Sequence, residues 1–69
     1  MPRRLIGLDI GSSTLRAVAL VPGRAGVRLQ DAAEVSRYDD LGQRKPLARA
    51  LNELDSRLPL RGRVAVASS

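Results

Sequence analysis

The residues from Leu5 to Leu20 constrain the fold of this chain more than any other stretch. Leu5, Ile6, Leu8 and Ile10 form a nearly continuous apolar run, which is typical of a strand covered on both faces. A short segment of glycine and hydroxyl residues follows, and a second β-rich run continues to Leu20. The pattern predicts a buried strand, a tight turn and a second strand that returns beside the first.

One carboxylate, Asp9, lies inside this apolar run. Burying a lone charge is costly unless a metal, a partner or ordered water compensates it. Gly11 can take a positive φ or allow another group to approach the backbone closely, and three hydroxyl residues follow it, Ser12, Ser13 and Thr14. A strand-end carboxylate can hold Mg²⁺ through water, and the amides and hydroxyls of a turn can hold phosphate oxygens. The stretch therefore predicts half of a nucleotide-phosphate site, with a simple capped turn as the alternative.

The next segments predict a hairpin. The second strand is expected from about Thr14 to Val21, with Leu15, Ala17, Ala19 and Val21 on one face. The glycine-bounded stretch from Pro22 to Gly26 is typical of a hairpin loop. The third strand is expected from Val27 to about Ser36, with one face formed by Val27, Leu29, Asp31, Ala33 and Val35. Its alternating pattern indicates a half-exposed edge strand.

A helix and a final strand complete the chain. Pro46 suits the first turn of a helix, and Pro59 ends it. An apolar stripe with helical spacing contains Leu47, Ala50, Leu51, Leu54 and Leu58. Glu53 is expected to pair weakly with Arg57 on the exposed side. The segment from Val64 to Ala67 predicts a strand parallel to the first, reached by a right-handed crossover.

This order of elements predicts an α/β fold of the ribonuclease-H-like layout. A three-stranded antiparallel meander, a helix and a strand parallel to strand one give the sheet order 3-2-1-4. A ribonuclease H nuclease is the competing interpretation of the topology, but it needs several carboxylates around two metals. Asp9 is the only acid at a strand end beside a suitable turn. The sequence therefore disfavours a nuclease.

Composition excludes several classes of function. The chain has no cysteine and no histidine, which excludes disulfides, thiolate metal sites and histidine catalysis. Its net charge of +5 comes from scattered arginines, and it has no Phe or Trp for base stacking, so nucleic acid is not expected as a partner. No apolar run is long enough to cross a membrane, and the first four residues do not begin a signal peptide. A core built by 69 residues is marginal, which indicates part of a larger fold.

The sequence from Leu8 to Ser13, followed by Arg16, resembles the first phosphate loop of the actin-like ATPase superfamily. That superfamily includes sugar kinases, heat-shock chaperone ATPases and bacterial actins. Residues 5–20 are most similar to the start of the PilM family of type IV pilus assembly proteins. The FtsA family of division proteins and a sugar or acetate-type kinase are the alternatives. The choice of PilM depends mainly on the Gly11-Ser12-Ser13 form of the loop.

The resemblance implies that residues 1–69 are the N-terminal part of the first lobe of a two-lobed protein that binds ATP and Mg²⁺ between its lobes. Asp9 would act on Mg²⁺ through water. The terminal phosphates would be wrapped by Gly11, Ser12, Ser13 and Thr14. Arg16 matches a position where the family carries Lys or Arg, although an ordinary surface charge is an equal alternative. No catalytic residue is expected in this chain, and the resemblance leaves open whether the parent protein hydrolyses ATP.

The resemblance also implies partners and a location. The first partner would be the remainder of the same two-lobed protein. The second would be the N-terminal tail of a PilN-like inner-membrane protein, bound beside the first lobe. The expected location is cytoplasmic, at the inner face of the bacterial inner membrane, which the protein would reach through its partners.

Overall fold

The computed structural model describes residues 4–68, and at positions 63 and 68 it describes the backbone alone. The elements are β1 (Leu5–Ile10), β2 (Thr14–Gly23), β3 (Gly26–Ser36), α1 (Leu47–Arg57) and β4 (Arg63–Ser68). They form one sheet in the order β3-β2-β1-β4, in which β1 is antiparallel to β2 and parallel to β4. The predicted fold class, element order and sheet order are confirmed.

The β2–β3 hairpin is longer than predicted. Pairing continues to Gly23 opposite Gly26, so the loop consists of Arg24 and Ala25 alone. Gly26 has a φ of 118°, in the region that favours glycine. Pro22 lies in β2 beyond Leu20, the last residue of β2 that pairs with β1, so the missing N–H of the proline costs no hydrogen bond to β1.

The core lies between α1 and one face of the sheet. The helix contacts β2 and β3. The buried cluster consists of Ile6, Leu8, Leu15, Ala17, Ala19, Val35, Ala50, Leu54 and Leu58. The prediction that Leu15, Ala17, Ala19 and Val21 share one face of β2 is therefore confirmed, since this face is buried. Most residues of the predicted helical stripe are also buried or packed against the core. Leu47, at the start of that stripe, remains exposed.

The opposite face of the sheet is uncovered within residues 4–68, which corrects the prediction that β1 is covered on both faces. Leu5 and Asp9 are exposed on that face, which is called the open face below. Even on the helix side, Val64 and Val66 of β4 are exposed, because α1 lies over β2 and β3 instead. An apolar run shows that a strand is hydrophobic, but it does not show which elements of the fold cover that strand.

A β-bulge breaks the predicted alternation of β3. Ala19 pairs with Asp31 and Leu20 pairs with Leu29, so Gln30 has no partner in the register. Directly opposite residues share a face, so the bulge places Leu29 on the open face with Leu20. The prediction of one continuous face from Val27 to Val35 is therefore wrong: Ala33 and Val35 face the helix, whereas Val27 and Leu29 do not.

The polar side chains of the connector and helix form local contacts. Asp39 Oδ1 accepts hydrogen bonds from the backbone N–H groups of Leu41 and Gln43, both at 2.9 Å, as a loop-capping carboxylate does. Glu53 pairs with Lys45 at 2.6 Å and with Arg49 at 3.6 Å. The predicted pair of Glu53 with Arg57 is wrong, because Arg57 Nη1 donates to the Glu34 carbonyl instead. In the described part of the chain, none of the helical structure is long and apolar enough to span a membrane.

Candidate phosphate-binding turn

Ser12 and Ser13 are the two central residues of the turn that joins β1 to β2. The Gly11 N–H donates to the Thr14 carbonyl at 3.0 Å and closes the turn. Both serines are exposed, and within residues 4–68 no hydrogen bond involves their backbone N–H groups. Two amides and two hydroxyls are therefore available to an anion, an arrangement of the kind that binds phosphate oxygens.

Gly11, one of the four residues expected to wrap the phosphates, does not offer its N–H to a ligand. Its N–H is used inside the turn, and its φ is outside the positive region. Thr14 begins β2 and is half-buried, paired opposite Ser36 of β3. The donors that remain toward solvent are those of Ser12 and Ser13, while Gly11 and Thr14 hold the turn in shape.

The end of β3 anchors this turn from the side. The Arg37 N–H donates to the Ser13 carbonyl at 2.8 Å, directly after the last residue of β3. The Arg37 carbonyl in turn accepts a hydrogen bond from the Lys45 N–H at 2.7 Å, next to the start of α1. The turn, the end of β3 and the beginning of the helix therefore meet at one edge of the sheet.

Asp9 and Arg16 are directly opposite each other in the β1–β2 register, on the open face beside the turn. Asp9 is exposed, so the expectation of a buried carboxylate is wrong. The described residues include no cluster of three or more His, Cys, Asp or Glu side chains able to hold a metal. A single exposed carboxylate suits Mg²⁺, which usually keeps several of its waters. Asp9 and Arg16 therefore lie on the two strands that the turn of Ser12 and Ser13 joins.

Sequence reasoning missed one contact of this site. Arg16 Nε donates to Glu34 Oε2 at 3.0 Å, across the β2–β3 pair in which the two residues are opposite. Both side chains are more than half exposed, so the ion pair is weak and can be exchanged for another anion. The alternation of the two strands contains the signal, since it places Arg16 and Glu34 on the faces opposite to Leu15, Ala17, Ala33 and Val35.

An open groove of about 350 Å³ continues from this charged pair along the sheet. Its lining is mostly small and apolar, with Gly7, Val18, Ala65 and Ala67 beside Asp9 and Arg16. A side chain at position 7 would meet Val18, since an added Cβ would lie 3.0 Å from Val18 Cγ2. The absence of that side chain keeps the groove open next to the charged end.

The sheet order, the parallel β4 and the single helix match a fragment of the actin-like ATPase fold. A solved structure of the Aquifex aeolicus member of the Ppx/GppA family, which belongs to this superfamily, is similar, with a TM-score of 0.60 and 12% sequence identity. The similarity covers 99% of this chain and 26% of that chain. No family model matches the sequence, and neither does any curated protein. Similarity at this identity shows the fold alone, and that fold agrees with the predicted sheet layout.

Proposed function

We propose that this chain is the beginning of the first lobe of an ATP-binding actin-like protein, and that its β1–β2 turn holds the nucleotide phosphates. The observation that carries the proposal is one juxtaposition at a sheet edge. The unbonded amides of Ser12 and Ser13 lie beside an exposed carboxylate, Asp9, and a cation, Arg16. Donors for phosphate oxygens and a ligand for a hydrated cation are thereby combined on the actin-like fold.

Each residue has a separate task in this proposal. The amides and hydroxyls of Ser12 and Ser13 donate to the terminal phosphate oxygens. Gly11 and Thr14 keep the turn closed through their backbone hydrogen bond. Asp9 accepts hydrogen bonds from the waters of Mg²⁺ and orients the metal–phosphate complex. Arg16 exchanges its exposed partner Glu34 for a phosphate oxygen.

A complete site needs more protein than these residues supply. The chain spans about a quarter of the similar Ppx/GppA structure, with 26% of that chain covered. Its own turn lies on an uncovered sheet face and offers one wall of a cleft. The proposal therefore assigns the second wall to the remainder of a two-lobed protein. The 69-residue chain alone should bind Mg·ATP only weakly.

Within this class we propose a PilM-like scaffold of type IV pilus assembly, because of the Gly11-Ser12-Ser13 form of the loop. Such a protein would be cytoplasmic and would bind the N-terminal tail of a PilN-like inner-membrane protein. Titration of the two-lobed protein with a peptide of that tail tests this finer proposal. Saturable binding supports it, and the absence of binding at peptide concentrations well above those of the protein contradicts it.

Calorimetric titration of the two-lobed protein with Mg·ATP tests the site. Asp9→Ala should weaken binding by about tenfold or more, the scale of one charge-assisted hydrogen bond. Because Asp9 is exposed, the thermal transition should not move. Asp40→Ala is the matched control, since it removes an exposed carboxylate of the connector loop to which the proposal assigns no role.

Equal affinity of the Asp9→Ala and Asp40→Ala proteins for Mg·ATP would overturn the phosphate-site proposal. Tight binding of Mg·ATP by the 69-residue chain alone would overturn the two-lobed requirement. A metal-free titration adds a further check, because Asp9 acts through Mg²⁺ and its substitution should matter little when the metal is absent.

A further inference from the structure

Arg37 is the one buried charged residue of the described core, and it is only 7% exposed. Its Nε is inaccessible to solvent and makes no hydrogen bond within residues 4–68. The ion pairs of the described side chains join Arg16, Lys45 and Arg49 to acids and do not include Arg37. A buried guanidinium nitrogen without a hydrogen-bond partner is unfavourable, so the Arg37 Nε–H would be stabilised by an acceptor.

The backbone of Arg37 is fixed to the proposed phosphate turn. Its N–H bonds to the Ser13 carbonyl at 2.8 Å, and its carbonyl bonds to the Lys45 N–H at 2.7 Å. Continuing the alternation of β3 from Val35 places Arg37 on the α1 side of the sheet. The turn, the backbone of Arg37 and the start of α1 therefore lie at one edge of the sheet, and the Arg37 side chain lies on the face opposite to Asp9 and Arg16.

An unpartnered Nε alone does not identify a binding residue. Arg4 also has a buried Nε without a partner, but Arg4 as a whole is only half-buried. It precedes β1 and lies against Gly62, at the edge opposite to the turn. Arg37 differs from Arg4 in its near-complete burial and in its direct bond to Ser13.

We propose that Arg37 is an anion-binding residue of this site, whose guanidinium pairs with an oxygen of the phosphate chain held by Ser12 and Ser13. The inference rests on the proposed function and extends it to the residue that directly follows β3, the strand farthest from Asp9. A guanidinium suits this task because its planar fork of donors matches phosphate oxygens and it is always charged. A carboxylate from a covering segment is the competing source of the anion.

NMR titration of the 69-residue chain with inorganic triphosphate tests the assignment, because this probe needs no second lobe. The Arg37 Nε–H resonance should shift saturably together with the amides of Ser12 and Ser13. Arg37→Met should weaken triphosphate binding about tenfold. Arg37→Lys should restore part of the affinity, and Arg24→Met, at the exposed hairpin tip, should change it less than twofold.

A thermal melt provides the second measurement. If the charge is unpaired in the free chain, Arg37→Met should raise the melting temperature without triphosphate and remove the increase that triphosphate gives. A lower melting temperature of the Arg37→Met chain would overturn the inference, because the charge would already be compensated. Acetate shifting the Arg37 Nε–H resonance as strongly as triphosphate does would overturn it in favour of a carboxylate partner.

The two proposals fail in different ways. Shifts at Ser12 and Ser13 with equal affinity of the Arg37→Met and unmodified chains would refute the role of Arg37 and leave the phosphate turn standing. Triphosphate that moves the Arg37 resonance but neither serine amide would refute the turn. Triphosphate that moves none of these signals would refute both.

Discussion

Arg16 lies directly opposite both Asp9 and Glu34, one on each neighbouring strand, and its Nε bonds to Glu34 at 3.0 Å. Three charged side chains thus form a row across the open face, with the cation in the middle. Glu34 therefore competes with any other anion for Arg16. In the proposed phosphate site, the affinity for phosphate would depend on this residue of β3, although it contributes no donor.

Glu34→Gln should strengthen binding of Mg·ATP to the two-lobed protein by up to about fivefold. The substitution removes a competitor for Arg16 and a negative charge near the phosphates, and an exposed ion pair contributes roughly 0–1 kcal/mol. Calorimetry at low and high salt measures the effect, which should shrink as salt rises. Weaker binding by the Glu34→Gln protein would contradict this account of Arg16.

Leu54→Ala should destabilise the chain by about 2–5 kcal/mol, because Leu54 is fully buried under the sheet and its truncation leaves a cavity. A loss of that size is a large part of the stability of a small domain. Urea titration followed by circular dichroism should find the chain largely unfolded at low denaturant. Leu41→Ala is the control, since Leu41 is 83% exposed and its truncation should change stability by less than about 0.5 kcal/mol. Similar midpoints for the two variants would contradict the described core.

Gly62→Ala should destabilise the chain more than Gly26→Ala. Both glycines have positive φ, 99° and 118°, so both substitutions carry a backbone cost of about 1–2 kcal/mol. At position 62 an added Cβ would also lie 2.9 Å from the Arg4 carbonyl oxygen, whereas position 26 has open space around it. Midpoints of urea unfolding measure the difference. A larger loss of stability for Gly26→Ala than for Gly62→Ala would contradict the close contact between Gly62 and the Arg4 carbonyl.

The ion pair between Lys45 and Glu53 makes the stability of the chain depend on pH in the acidic range. The hydrogen bond from Lys45 lowers the pKa of Glu53 below its ordinary value of 4.5, and the charges of Lys45, Arg49 and Arg57 add to this. A depressed carboxyl pKa contributes stability that is present above 4.5 and is lost as pH falls through the lower folded value. Glu53→Gln should therefore flatten the acid limb of melting temperature against pH. An unchanged acid limb would mean that the pair does not form in solution.

The order of the sheet could be predicted because it follows from patterns that the sequence states directly. Apolar runs identify the strands, two short connections join the first three of them, and an apolar stripe ending at Leu58 identifies the helix. Few topologies are compatible with this order of elements. The turn of Ser12 and Ser13 was found for the same reason, since glycine and hydroxyl residues between two strands have few structural uses.

Other features could not be predicted from the sequence. They depend on which of several possible partners a side chain contacts, or on a shift of one residue in the pairing of two strands. Three cations, Lys45, Arg49 and Arg57, could pair with Glu53. The folded chain pairs Glu53 with Lys45 and Arg49, whereas Arg57 bonds to a backbone carbonyl. The apolar run around Asp9 predicted burial, but Asp9 lies on the open face of the sheet, opposite to the helix, and is exposed. Arg37 looked like part of a polar connector, and its burial follows only if the alternation of β3 is continued beyond Ser36.

The unpaired Gln30 is a one-residue insertion that the folded hairpin retains. Deleting a single codon there would remove the bulge and leave Leu29 opposite Leu20 and Val27 opposite Pro22, so both side chains would stay on the open face. The loss of this one residue would therefore straighten the hairpin without changing the face on which its outer apolar side chains lie. The inner half, from Ala33 to Ser36, would keep its pairing with β2, and the following Arg37 would keep its hydrogen bond to the Ser13 carbonyl.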